Sequence, residues 1–243
     1  MVDLGLQGEE RIAGLVTGAG YPDALEPVVE CFAGSSGTLC DVGSGLGAAA
    51  AWVSQRSSAM ILATEPEVRT AALARSHFPA LSVVTATAER LPVGADTCSG
   101  VSLLGVVSLV EELEALIAEA TRVLEGGGCL AIADLVSAGD RTVTVAATGN
   151  VFRTVDAVSQ TLVAAGFSVD TVWTASAELA TAWDQTTVVV DREIERRHSG
   201  SPAFADWRGD RQSLRELIED GTVRLATIIA SLTSSADALT SNG

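Results

Sequence analysis

From Gly37 onward the sequence alternates short β-type apolar runs with stretches of helical spacing. That alternation admits little besides a mostly parallel sheet with helices on both faces. It predicts strands over Thr38 to Val42, Ala59 to Thr64, Leu81 to Thr85, Cys98 to Leu104, Cys129 to Leu135, Phe167 to Thr174 and Thr222 to Leu232. Helices are expected over Leu46 to Gln55, Glu67 to His77 and Leu109 to Leu124. The last of these would open on a capping box, Ser108 to Glu111, and stop at Gly126-Gly127-Gly128. Thr154 reads as the N-cap of a further helix that ends at Gly166, where a left-handed residue costs least. Leu179, Trp183, Val190 and Ile194 keep helical spacing between Ser176 and Glu219, and Ser213 to Glu216 offers a second capping box. Thr186 to Val190 also reads as a strand. Residues 1–36 suggest one or two helices, broken at Gly20-Tyr21-Pro22.

Of 243 residues, 47% are apolar, enough to bury a large α/β core. The 31 acidic residues outnumber 15 basic ones, a formal charge of −16, which removes the phosphate-neutralising surface of a nucleic-acid binder. Every basic residue is arginine. With no lysine there is no P-loop cation, no Schiff base and no lysine general base. Cys31, Cys40, Cys98 and Cys129 stand far apart and away from His77 and His198, so neither a zinc site nor a disulfide framework is indicated; reduced core thiols are expected. No secretory signal and no long apolar span is seen, so a cytoplasmic location without membrane partners is expected.

The most informative segment is Leu39-Cys40-Asp41-Val42-Gly43-Ser44-Gly45-Leu46-Gly47, a strand running into glycines and then a helix. Such a turn lets backbone approach a ligand and aims free N–H groups at it. Gly43, Gly45 and Ala48 also fit a dinucleotide fingerprint, with Glu65 placed to bind a ribose. Asp41 discriminates: a carboxylate there repels a pyrophosphate but suits the cationic end of an amino acid, unless it merely supports the turn.

Here the chain resembles the class I S-adenosylmethionine-dependent methyltransferases of the quinone-biosynthesis and natural-product type. Asp41 to Gly47 looks like their first motif, and Glu65 like the acid that takes both ribose hydroxyls. Ala86-Thr87-Ala88-Glu89-Arg90-Leu91-Pro92 is similar to the segment lining the adenine. Ala120 to Gly128 followed by Ile132-Ala133-Asp134 matches the signature between helix and fifth strand. The resemblance implies a Rossmann-like α/β fold: a seven-stranded mixed sheet with helices on both faces, an N-terminal helical segment over the site (1–36) and a cofactor-binding core (37–175). A helical insertion or lid (176–220) would precede the last strand and tail (221–243). It implies S-adenosylmethionine as cofactor, held by Asp41, Gly43, Ser44, Gly45, Gly47, Glu65, Pro66, Thr87, Ala88, Glu89 and Leu104. Two residues depart from the pattern: Thr87 stands where an aspartate commonly meets the adenine amino group, and Ser99 where another commonly opens the fourth strand.

Methyl transfer from a sulfonium draws much of its acceleration from positioning, but a neutral hydroxyl or acidic carbon needs a base. His198, in the insertion, and Tyr21, in the N-terminal segment, are the catalytic candidates, with Asp184 a further possibility. The alternatives are that His198 belongs to a solvated charged helix face, that Tyr21 simply packs, and that His77 is structural. Trp183, Phe204 and Trp207 would wall an apolar acceptor pocket or anchor the insertion. No N/D-P-P-Y/F tetrapeptide follows the fourth strand, no Pro-Cys occurs, and no metal-ligand cluster is evident. The expected function is O- or C-methylation of a small, apolar metabolite in secondary metabolism, by a monomer or homodimer. The competing readings are a non-methylating step such as cyclisation with the cofactor retained, an NAD-dependent oxidoreductase, and a non-enzymatic acidic partner protein.

Overall fold

Nine strands and seven helices are laid out along the chain in a computed structural model that describes residues 12, 15–16, 23–146, 148–175 and 190–234. Helix α1 (Glu26–Phe32) precedes β1 (Thr38–Val42). The cofactor half then runs α2 (Ala48–Ser54), β2 (Met60–Glu65), α3 (Val68–His77), β3 (Ser82–Thr85) and β4 (Cys98–Leu104). After α4 (Leu113–Val123) and β5 (Leu124–Ser137) comes a hairpin, β6 (Val143–Val145) and β7 (Asn150–Phe152). The chain ends with α5 (Val155–Ala164), β8 (Phe167–Thr174), α6 (190–198), α7 (Pro202–Glu219) and β9 (Val223–Leu232).

Seven strands form one sheet in the order β3-β2-β1-β4-β5-β9-β8. All pair in parallel except β9, which is antiparallel to both β5 and β8, so the sheet is mixed through a single reversed strand. The chain moves outward from β1 to β3 and then returns to β4 on β1's other side. In open α/β sheets the crevice beyond such a reversal is where ligands bind, and here it lies where β1 runs into the glycine turn and β4 into Gly105.

The elements form for local reasons. In α4, Leu113, Leu116, Ile117, Ala120 and Val123 are all buried; they fall on one stripe at helical spacing and cover the sheet beside β4 and β5. α1 carries Pro27 in its first turn and ends on fully buried Phe32. Phe32 lies against Gly100 in mid-strand: a Cβ on that glycine would come within 2.3 Å of the ring, so only glycine fits there.

The predicted strands lie close to the observed ones, and two helix ends agree closely. The Thr154 hydroxyl accepts from Ala157 N at 3.0 Å, and Gly166 takes φ 91°. Other expectations need correction. Ser108 to Glu111 is no capping box: α4 begins after Glu112 with no side-chain cap, because Ser108 belongs to a turn held by other groups. Gly126 to Gly128 do not end a helix in a loop but lie within β5, where pairing with β4 is irregular beside Cys98 and Gly127 has a positive φ of 83°. Ser213 lies in mid-helix; the cap of α7 is Ser201, whose Oγ accepts from Phe204 N at 3.2 Å. The hairpin β6–β7 was not expected. Tyr21, Trp183, Asp184 and most of the Thr186 to Val190 run lie outside the described residues.

The cysteine expectation is also overturned for one pair. Cys31, at the end of α1, and Cys129, in β5, form a disulfide, whereas Cys40 and Cys98 are free and buried. A separation of 98 residues carries no spacing signal, and only the packing of α1 on β5 brings the two together. A crosslink typically contributes about 2–4 kcal/mol by restricting the unfolded chain. Cys31→Ser should therefore lower the thermal midpoint by roughly 5–15 °C in non-reducing buffer, and dithiothreitol should lower the wild type but not the variant. An equal response of both proteins, or an intact mass showing four thiols, would remove the crosslink from the account.

Candidate functional site

The glycine turn leaves β1 at Val42, and Gly43, Gly45 and Gly47 take φ values of 69°, 55° and 80°. These lie in the left-handed region that side chains avoid, so the conformation depends on the glycines. A Cβ on Gly43 would meet Val106 Cγ2 at 2.7 Å, so this glycine also admits the turn that follows β4. Ser44 N donates to Thr64 O at 2.8 Å, which ties the turn to β2, and Gly47 is the left-handed residue from which α2 starts.

Asp41 sits in mid-sheet and is 1% exposed. It stands opposite Ser102 in the β1–β4 register, and the Ser102 hydroxyl donates to Oδ1 at 2.6 Å. Burial pushes the Asp41 carboxyl up to about 7, although the Ser102 bond pulls the other way. Oδ2 is buried and has no hydrogen-bond partner among the described residues, and the same holds for Ser44 Oγ in the turn itself. Two unsatisfied buried oxygens at one turn call for a donor from outside the chain.

Glu65 closes β2 and is 8% exposed. Its Oε2 accepts from Gly45 N and its Oε1 from Glu67 N, both at 3.0 Å. Each oxygen keeps acceptor capacity, so the carboxylate is fixed in place and still able to take two hydroxyl protons. Pro66, beside it, is exposed. Ala86 N donates to Glu65 O, which brings the Thr87-Ala88-Glu89 segment to the same end of the sheet; Thr87 and Glu89 are exposed and Ala88 half-buried. Glu119 of α4 accepts from Leu91 N at 2.7 Å and Arg122 donates to Val93 O at 3.1 Å, anchoring the end of that segment. Leu104, half-buried, ends β4. Ser99, in contrast, lies at the other end of β4, bonded to Ser35 Oγ at 2.8 Å and to Thr38 O at 3.2 Å.

The turn after β4 is held from several sides. Gly105 N donates to Ala133 O, and Asp134, buried in β5, accepts from Ser108 N at 2.9 Å and from Leu135 N at 2.7 Å. Burial pushes the Asp134 carboxyl up to about 6 against these bonds. Val151 N of β7 donates to Ser108 O, and Arg153 donates to the carbonyls of Val107, Val110 and Glu111 at 2.9, 3.0 and 2.5 Å. Leu109 N closes the turn on Val106 O at 3.0 Å, so Val106 meets the glycine turn while Leu109 stands three residues on, 64% exposed. Beyond Leu109 lies a cavity of about 420 Å³ between the β6–β7 hairpin and α7, with Val145 and Phe152 on one wall and Trp207, Leu214 and Leu217 on the other.

Trp207 thus lines that cavity, while Phe204 is buried beneath it with ring centroids 5.5 Å apart. His198 ends α6, exposed, and is not among the cavity-lining residues. His77 is half-buried at the end of α3. Sequence reasoning missed Ser102 and Arg153, whose partners lie 61 and more than 40 residues away in the chain; Asp134 was visible in the Ile132-Ala133-Asp134 match, as a polar residue within an otherwise apolar run, but its bond to Ser108 N was not.

Residues 40–132 match the family of methyltransferase domains, a span that takes in the glycine turn, Glu65, Thr87 and β4. No curated protein sequence matches the chain. Among solved structures it is similar to the [4+2]-cyclase SpnF, with 18% identity and a TM-score of 0.75 over 93% of this chain and 92% of that one. A Haemonchus contortus phosphoethanolamine N-methyltransferase in complex with S-adenosyl-L-methionine superposes with 12% identity and a TM-score of 0.70, over 93% of this chain and 56% of that one. The O-methyltransferase of a trans-AT PKS multienzyme of Brevibacillus brevis, in complex with S-adenosyl-L-homocysteine, does so with 12% identity and a TM-score of 0.68, over 86% and 72%. At these identities the structures establish the fold, and it is the family match across the glycine turn that decides between a sulfonium cofactor and a nicotinamide. Residues 40–132 match the model of methyltransferase domains, and the cofactor that goes with that match is S-adenosylmethionine.

Proposed function

We propose that the protein transfers a methyl group from S-adenosylmethionine to oxygen or carbon of a small, apolar metabolite in a biosynthetic route. The observation that carries this reading is the pair of unsatisfied buried oxygens, Asp41 Oδ2 and Ser44 Oγ, at the glycine turn beyond the strand-order reversal. When bound, the cofactor supplies an electrophilic methyl on a sulfonium centre. In this reading Asp41 takes the ammonium of the methionine moiety, and Gly43, Ser44, Gly45 and Gly47 bring backbone close to it. Glu65 takes the ribose hydroxyls beside Pro66, Thr87, Ala88 and Glu89 border the adenine, and Leu104 lies under the cofactor. Thr87 offers a hydroxyl without charge assistance, so more of the affinity falls on Glu65.

The catalytic candidates carry less of the reading than the cofactor residues do. With His198 exposed and outside the cavity lining, acceleration rests on holding the acceptor and excluding water rather than on that imidazole. The same observation favours a second reading, a non-methylating step such as a cyclisation with the cofactor retained. Incubation with methyl-labelled cofactor and an extract of biosynthetic intermediates separates the two: label moves to product in the first case and stays on the cofactor in the second.

Three outcomes are expected in calorimetric titration with S-adenosylhomocysteine. Glu65→Ala weakens binding by about 1.5–3 kcal/mol, the scale of charge-assisted hydrogen bonds; a loss below error would assign Glu65 to holding Gly45 and Glu67 alone. Gly43→Val abolishes binding, because it strains a φ of 69° and displaces Val106; unchanged affinity with an intact fold would contradict the assignment of the turn. The third outcome follows from Asp41. Its folded pKa, about 7, lies above the ordinary 3.8, so the native state holds the proton more tightly and loses that stabilisation as pH rises through the interval. An ammonium ligand requires the ionised form, so affinity should rise between pH 6 and 8 in the wild type and be flat in Asp41→Asn. A matching rise in the variant would remove Asp41 from the ammonium site.

A further inference from the structure

We infer that the cavity between α7 and the β6–β7 hairpin is the acceptor site, and that it takes a molecule with an apolar body and no phosphate or carboxylate, whose hydroxyl or amine donates to Asp210. The inference rests on reading the chain as a methyltransferase and goes beyond it in naming where the acceptor sits and what it must lack.

Position comes first. The Val106–Leu109 turn is shared: Val106 lies against Gly43 of the cofactor turn, and Leu109 lines the cavity. One tight turn, held by Asp134 and by Arg153, therefore separates the two spaces. Leu109 is a large apolar side chain left 64% exposed at the cavity, a cost that an apolar occupant would remove.

The charge of the lining then selects the occupant. On α7, Trp207, Leu214 and Leu217 recur at helical spacing on the cavity face, and Asp210 interrupts this apolar stripe. Asp210 is exposed at the cavity and has no hydrogen bond or ion pair among the described residues, so it is open to a ligand. Among the described residues the one cation in the lining is Arg211, whose Nε and Nη2 both contact Asp191 Oδ2, at 2.9 and 2.8 Å. Two carboxylates against one guanidinium leave the wall with one negative charge. Recognition of a phosphate or carboxylate depends on unengaged Arg or Lys groups, and none lines this wall among the described residues. The whole chain contains no lysine. The remaining polar lining, Thr148, Asn150 and Ser213, is neutral. A donor on an apolar scaffold can pair with Asp210 in place of water; a phosphorylated acceptor is repelled by it.

The experiment uses the full chain saturated with S-adenosylhomocysteine and titrated with three probes that share a naphthalene body: 2-naphthol, 2-(aminomethyl)naphthalene and 2-naphthyl phosphate. At least one of the two donors is expected to bind, and 2-naphthyl phosphate at least tenfold more weakly; the tighter donor tells whether the site favours a hydroxyl or an ammonium. Asp210→Asn should weaken the bound donor at least fivefold and narrow the gap to the phosphate. Leu109→Trp, at an exposed position that tolerates bulk, should weaken every probe at least tenfold while S-adenosylhomocysteine affinity stays within twofold. Tighter binding of the phosphate, no effect of either substitution, or no binding of either donor to the loaded protein would overturn the inference. Failure of the wild type to bind S-adenosylhomocysteine, read before any probe is added, would instead sink the methyltransferase reading.

Discussion

A carboxylate in the middle of a parallel sheet is an expensive object, and the rest of the site is arranged around Asp41. Its two oxygens are treated differently. Oδ1 is bonded across the β1–β4 boundary to Ser102, which stitches together the two strands at which the chain order reverses, while Oδ2 is left without a partner in the described residues. Desolvating a carboxyl so thoroughly raises its proton affinity toward neutrality. The sheet is thus built with an acceptor of adjustable charge where its strand order reverses, and the glycines that follow keep side chains from filling the space beyond.

How much of this could be read in advance depended on how local each interaction is. The sheet, the glycine turn and Glu65 follow from period, small residues and an acid at a strand end, all contained within short windows, and the strands appear close to where these signals put them. Capping boxes were misread for an instructive reason. Ser108 and Ser213 have the right spacing to a glutamate, yet the first is held in a turn by Asp134, Val151 and Arg153, and the second lies in mid-helix because Ser201-Pro202 starts α7 earlier. Tertiary bonds and a stronger upstream start signal overrode a local pattern. Gly126 to Gly128 misled similarly: glycine just past the last turn is a common helix stop, but here the pairs Cys98–Leu124 and Gly100–Cys129 on either side keep all three within β5 as an irregularity.

The least legible parts were those assembled from distant segments. Ser102 matters only because parallel pairing sets it beside Asp41, and Arg153 because the hairpin folds it back over three carbonyls more than 40 residues earlier. The acceptor wall on α7 is intermediate: Trp207 was visible as an aromatic in polar surroundings, whereas the significance of Asp210 needed Arg211 to be seen already engaged by Asp191. Sequence shows which charges exist, but only packing shows which remain uncompensated.

The single reversed strand has a consequence for assembly. β9 pairs along its length with β5 on one side and with β8 on the other, so until residues 223–232 are in place those two strands have no connection and each presents an open edge. Such edges are sites of unwanted pairing between chains. Because α7 leads directly into β9, the wall beside Leu109 and the strand that joins β5 to β8 come from one continuous stretch of chain, residues 202–232, so a change that dislodges one is felt by the other.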